Sequence, residues 1–243
     1  MNRILFEREE VEGGVATFGG VRARHVMDIL HGEVGRVLKT GEVNGRVGSG
    51  EIVEIGGTSD EPIVRVAVRH EEESLQPWVD LILAPPRPRV MKRLLPQLAA
   101  MGVGRIVLVG AKKVEKDFWG ATLLKEENYR PLFVEGLMQA GTSALPTLET
   151  RRNFRRFVAD ELDAEFPSGR RMVAHPYGAG GRAETGGDGG RLLLAIGPEG
   201  GWTDEEVERL EGRGFSRYSL GRRILRTDTA TIALLARLSG GEG

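Results

Sequence analysis

Hydrophobic and polar positions follow two rhythms along this chain. Up to about residue 70 the apolar positions fall in short runs rich in β-branched residues, at 36–39, 46–47, 51–55 and 63–68. Glycine-bearing turns, Asn44-Gly45 and Gly56-Gly57, punctuate them, and one short helix is expected over 21–30. Several short strands at this spacing predict a small β-barrel over residues 1–70. The acidic stretch 71–77 then reads as a linker. From Trp78 the rhythm changes. Strands are predicted over 79–84, 105–109 and 171–174. A helix over 88–101 carries Val90, Leu94, Leu95 and Leu98 at helical spacing, with Pro96 expected to kink it. Further helices are predicted over 123–139, in one or two pieces because of Pro131, and over 151–162. Alternating strand and helix predicts an α/β domain over 78–243, with a parallel sheet covered on both faces. The stretch 178–190 holds seven glycines in thirteen residues and reads as a surface loop. It has neither of the glycine spacings that cradle phosphates.

The last fifth of the chain carries the chemistry. An apolar run, Leu192–Ile196, stops at Gly197-Pro198-Glu199-Gly200-Gly201, and a helix is predicted from Thr203. Thr203-Asp204-Glu205-Glu206 has the pattern of a capping box. The plan then repeats. A short strand ends at Leu220-Gly221, a turn carries Arg222, Arg223 and Arg226, and a last helix starts near Asp228, capped by Thr227 or Asp228. Two glycine-bearing loops at the C-ends of two parallel strands predict a cofactor site. The loop residues Gly197, Gly200 and Gly201 allow close backbone approach. Glu199 argues against a phosphate ligand: a carboxylate about 4 Å from a phosphate charge costs on the order of 4 kcal/mol at an effective dielectric near 20. Glu199 also has a plainer reading, as a cap on backbone amides.

These residues closely resemble the signature of the SPOUT superfamily of RNA methyltransferases, and within it the RsmE family, which methylates N3 of one uridine in 16S ribosomal RNA. The resemblance implies S-adenosylmethionine (SAM) as cofactor. The loops implied to hold it are Ile196, Gly197, Pro198, Glu199, Gly200 and Gly201, with Leu220, Gly221, Ile224, Leu225 and Arg226. It implies a trefoil knot in the C-terminal domain, a PUA-like RNA-binding barrel with Arg3, Phe6 and His25 in the expected places, and a homodimer paired through the last helix. The substrate partner would be 16S rRNA or the small ribosomal subunit. Two departures concern RNA contact. His31 stands where family members commonly have arginine, and Gln139 is followed by Ala140-Gly141-Thr142-Ser143 where they often have Gly-Arg-Asn. Uridine N3 must lose a proton before it attacks, and the resulting negative charge rests mostly on the ring carbonyl oxygens. Arginine stays protonated and cannot be the base, but it can donate to that oxyanion. Arg226 is the first candidate for this role and Arg223 the second. Asp228, Glu199 or solvent is left as the base. Other readings are the same chemistry on another RNA, and a catalytically silent RNA-binding assembly protein. The intact glycine loop and Arg226 count against the latter.

Composition narrows the remaining classes. The chain has 243 residues and no cysteine, which excludes disulfides, thiolate chemistry and Cys-based zinc sites and fits a reducing cytoplasm. His25, His31, His70 and His175 lack metal-ligand spacing, so no metal is expected and each reads as a surface or packing residue. No run of eighteen apolar residues predicts a membrane span, and the N-terminus lacks a signal-peptide pattern. Net charge is −1, but residues 1–76 hold 9 Lys and Arg against 14 Asp and Glu, while residues 77–243 hold 25 against 21. The basic clusters at 87–93, 151–156 and 217–226 are candidate phosphate contacts, and an acidic barrel would add only a few side chains, such as Arg3, Arg22 or Arg24.

Overall fold

The computed structural model describes residues 3–177 and 191–239; the glycine-rich stretch 178–190 lies outside them. Contacts divide the chain into two units, Met1–Gln76 with Val134–Leu145, and Pro77–Phe133 with Pro146–Gly243.

The N-terminal unit holds β1 (Ile4–Phe6), β2 (Val11–Glu12), β3 (Val15–Gly19), α1 (Gly20–Arg24), β4 (Val37–Glu42), β5 (Val47–Gly57) and β6 (Pro62–Glu72). A π-helical turn, His25–Ile29, continues α1, so the helix expected over 21–30 has two geometries. The strands form one sheet in the order β1-β4-β5-β6-β3-β2. Pairing is antiparallel except between β1 and β4, consistent with a barrel-like domain. Alternation puts Val64 and Val66 of β6 inside, against Ile4, Phe6, Phe18, Val26 and Ile52. Irregular register in β5 near Ile52 and Glu54 adds local twist. The runs expected at 36–39 and 63–68 fall in β4 and β6, those at 46–47 and 51–55 merge into the single strand β5, and β1 to β3 were not anticipated, because two to five residues carry too little period to read.

In the stretch 71–77, β6 runs to Glu72, and the buried Ser74 hydroxyl lies 2.9 Å from that of Thr142 and accepts from Ser143 N at 2.9 Å. The Arg3 guanidinium donates to the carbonyls of Gly141, Thr40 and Gly48 at 2.7–2.9 Å. It thereby pins the Val134–Leu145 segment, which a continuous 78–243 domain would have placed elsewhere.

The C-terminal unit contains β7 (Val79–Leu83), α2 (Pro88–Ala100), β8 (Val103–Val109), β9 (Thr147–Arg151), β10 (Arg171–Ala174), β11 (Leu192–Ile196), α6 (Asp204–Glu211), β12 (Ser216–Tyr218) and α7 (Thr227–Leu238). α3 (Glu126–Ala140) runs through Pro131 as one helix from this unit into the Val134–Leu145 segment. Between β9 and β10 the chain forms α4 (Phe154–Arg156), a π turn (Phe157–Glu161) and α5 (Leu162–Glu165). The strands form one wholly parallel sheet in the order β12-β10-β11-β7-β8-β9. β7 and β11, at its centre, are buried at every position. Central parallel strands covered on both faces need such unbroken apolar runs. A single helix over 151–162 is corrected. Arg151 ends β9, and the helix starts at Phe154 behind the Asn153 cap. β9 is a polar edge strand, held by ion pairs from Glu149 to Arg105 and Arg151, both of which also reach Glu165.

Asp80 is the one charged side chain inside β7. It is 7% exposed and lies 3.2 Å from the Arg191 guanidinium. A side chain at Gly104 would occupy the space that guanidinium fills. Burial raises the Asp80 carboxyl above its ordinary range, against the opposing pull of Arg191.

Candidate cofactor site

Three adjacent strands, β12, β10 and β11, end on the same side of the sheet, and the loops that leave them enclose a cleft of about 500 Å³. Ligands of open α/β sheets bind outside the carboxyl ends of the strands for this reason: the chain must turn there and its backbone groups are free. Of the residues expected to hold a cofactor, Ile196, Gly197, Pro198, Glu199, Gly200, Gly201, Leu220, Gly221, Ile224 and Leu225 all line it. Arg226 does not. It is exposed and forms the N-cap of α7, while Arg223 lies on the cleft wall.

The first loop is held from outside the cleft. Gly201 takes φ +68°, and its amide donates to Pro198 O at 2.8 Å. Glu199 accepts from the Arg87 amide at 3.2 Å, at the start of α2, which is the capping role. Lys113 Nζ donates to Gly200 O at 2.7 Å. A Cβ on Gly200 would meet the Lys113 stem at 2.9 Å, so a larger residue there presses on Lys113. Thr203 and Glu206 form the expected capping box, and Glu206 also accepts from Lys112 N at 2.7 Å.

The second loop is anchored at both ends. Ser219 Oγ donates to Pro176 O at 3.0 Å, and Thr227 Oγ1 donates to Gly197 O at 3.3 Å. Thr227 was expected as a possible cap for the last helix. It instead turns inward and is 6% exposed, while Asp228 bonds its neighbour's amide and lies 3.9 Å from Arg93.

Sequence reasoning missed a third side of the cleft. His175, Pro176 and Tyr177 follow β10 and line it, with Trp202, Tyr218 and Ser219. His175 was read as a surface or packing residue. Its position directly after the apolar strand Arg171–Ala174 was the available signal. The Tyr177 amide donates to His175 Nδ1 at 3.2 Å, which assigns the proton of the neutral ring to Nε2. Burial, then Arg217, lowers the His175 pKa. The Trp202 indole nitrogen is buried with no acceptor among the described residues.

The donor set fits a ligand of mixed polarity without phosphate. Ile196, Leu220, Leu225 and Leu234 supply apolar wall, and backbone groups, Ser219 and Thr227 supply polar contacts. Among the described residues no cluster of three or more His, Asp or Glu could hold a metal ion, and no helix is long and apolar enough to cross a membrane.

A parallel α/β sheet with this cleft defines a class, and the family model for the RNA methyltransferase domain matches residues 72–239. The chain is 31% identical to ribosomal RNA small subunit methyltransferase E of Treponema pallidum, over 97% of this chain and 90% of that one. It is also 49% identical to the protein of that name from Bacillus subtilis over 51 residues, about a fifth of each chain. The chain belongs to the ribosomal RNA small subunit methyltransferase E family. Solved structures agree on the fold. A putative methyltransferase from Legionella pneumophila in complex with SAM superposes with a TM-score of 0.75, at 23% identity and 98% coverage of both chains. The small subunit methyltransferase E from Neisseria gonorrhoeae, bound to SAM, gives 0.73 at 20% identity, with 96% and 95% covered.

Proposed function

We propose that this protein transfers a methyl group from SAM to N3 of a uridine in 16S rRNA of the small ribosomal subunit. The observation that carries the reading is the cleft: loops from three parallel strands meet there, with apolar walls and glycine-bearing turns. The names of the family's relatives support an rRNA substrate, and their SAM-bound neighbours support the cofactor. SAM, when bound, supplies an electrophilic methyl group on a sulfonium. The loops at 197–201 and 220–225 would hold it.

We assign the oxyanion-stabilising role to Arg226, at the start of α7, or to Arg223, on the cleft wall. Either guanidinium can donate to the negative charge that develops when N3 loses its proton. Two candidate bases are already engaged, Glu199 by the Arg87 amide and Asp228 near Arg93. This leaves solvent to take the proton. The N-terminal unit serves as the PUA-like RNA-binding domain, and the C-terminal segments form the trefoil knot of the superfamily.

The protein acts in the cytoplasm as a homodimer. Thr231, Leu234, Leu235 and Leu238 of α7 are buried within the unit and leave little of that helix for pairing. The loop before α7, where Ile224 is 80% exposed beside Leu220 and Leu225, supplies the apolar surface for a second copy. Sedimentation at micromolar concentration giving only the 26.5 kDa monomer refutes the dimer. The activity is tested by incubating the purified protein with small ribosomal subunits and SAM and mapping modified nucleosides by mass spectrometry. A methyl group on uridine N3 is expected. Methylation of a different atom or base, or none, overturns the assignment.

A further inference from the structure

We infer that Thr227 is a positioning residue for the cofactor, fastening one wall of the cleft to the other through its hydroxyl. The inference rests on the reading of the cleft as a SAM site. A threonine at the start of a helix ordinarily caps it. Here Arg226 holds the cap position and no side chain caps α7. Thr227 is buried, and its Oγ1 reaches Gly197 O, thirty residues back, at 3.3 Å. One turn later the fully buried Thr231 donates to Thr227 O at 2.7 Å, fixing the Thr227 backbone from the helix side.

What this arrangement does follows from what lies between. Residues 220–226 are exposed one after another, and Gly221 takes φ +116°. A loop with so little burial is held by its ends. Ser219 fastens the near end to Pro176, beyond β10, and Thr227 fastens the far end to Gly197, beyond β11. The two hydroxyls therefore set the spacing of all three loops around the cleft. Loss of either leaves the backbone free to sample wider openings, and a ligand must then bear the cost of closing them. Thr227 also fixes where Arg226 leaves the loop, since the two residues are adjacent.

The test compares Thr227→Val, which keeps shape and removes the hydroxyl, with Thr227→Ser, which keeps the hydroxyl and removes the methyl. SAM and S-adenosylhomocysteine are titrated by calorimetry into each protein and wild type, well below the melting temperature of every variant. Thr227→Val is expected to weaken both ligands about three- to tenfold, the loss of one hydrogen bond, and Thr227→Ser to bind within about twofold of wild type. Ser219→Ala, at the other anchor, should shift affinity in the same direction and serves if Thr227→Val does not fold. Wild-type affinity in Thr227→Val, or a Thr227→Ser as weak as Thr227→Val, overturns the role of the hydroxyl. So does a wild-type Ser219→Ala where that variant stands in. A wild type that binds neither ligand instead overturns the reading of the cleft, and the inference with it.

Discussion

Glu206 joins two parts of the site wall, and its removal has a magnitude that follows from the geometry. The side chain is 7% exposed. One carboxylate oxygen accepts from Thr203 N at 2.8 Å and the other from Lys112 N at 2.7 Å. Both bonds are charge-assisted, and hydrogen bonds to charged groups contribute about 1.5–3 kcal/mol each. Glu206→Ala removes both acceptors and leaves two amide donors without partners, a loss of about 3–5 kcal/mol. Glu206→Gln keeps one acceptor and turns an amide toward the other donor, so about half that loss is expected. For a chain of this size 1 kcal/mol lowers Tm by about 2–4 °C, so Glu206→Ala should melt on the order of 10 °C earlier. All three tryptophans, Trp78, Trp119 and Trp202, lie in the C-terminal unit, so urea unfolding followed by indole fluorescence reports on that unit. The Lys112 bond also restrains the loop that places Lys113 on Gly200 O, so SAM affinity should fall with stability. A Glu206→Ala protein destabilised by less than about 1 kcal/mol would refute the view that the two bonds bind the wall together.

Arg226→Ala should lower kcat on the order of a hundredfold or more while SAM still binds, with Arg226→Lys recovering part; near-normal single-turnover methylation by the alanine variant moves the role to Arg223. Bonding to Arg105 holds Glu149 below its ordinary pKa, so the stability it contributes is present above about pH 4.5 and lost as pH falls through the lower folded value. A midpoint flat from pH 6 to 3 in urea titrations refutes this. Asp80 has the opposite sign: its raised pKa means that ionisation in the folded state works against stability as pH rises. Asp80→Asn should therefore be neutral or stabilising at pH 7, and a loss above about 2 kcal/mol would show that the Arg191 pair outweighs burial. RNA affinity should fall steeply with salt if Arg89, Lys92 and Arg93 on α2 meet phosphates; a salt-independent affinity refutes phosphate contact.

The sequence by itself determined the parallel sheet, because unbroken apolar runs such as Leu192–Ile196 occur where a strand is covered on both faces. It also determined two of the three loops of the cleft and the Thr203–Glu206 capping box, because glycine turns and caps are local chemistry read within four residues. Only the tertiary structure decided the rest. β9 and β1 to β3 are short or polar strands, and pairing, in β1, β3 and β9 with a strand distant in the chain, makes them strands, not composition. The third cleft loop carried only the weak signal of following an apolar strand, because His175 joins the site only when β10 settles between β11 and β12. The carbonyl contacts of Arg3 were not legible, because a guanidinium gives no sign in sequence of whether it meets solvent or three carbonyls from three other segments. Thr227 is the sharpest case. Its local context offers a cap, and a carbonyl thirty residues away takes the hydroxyl, since a buried donor satisfies itself on the acceptor that packing brings within reach.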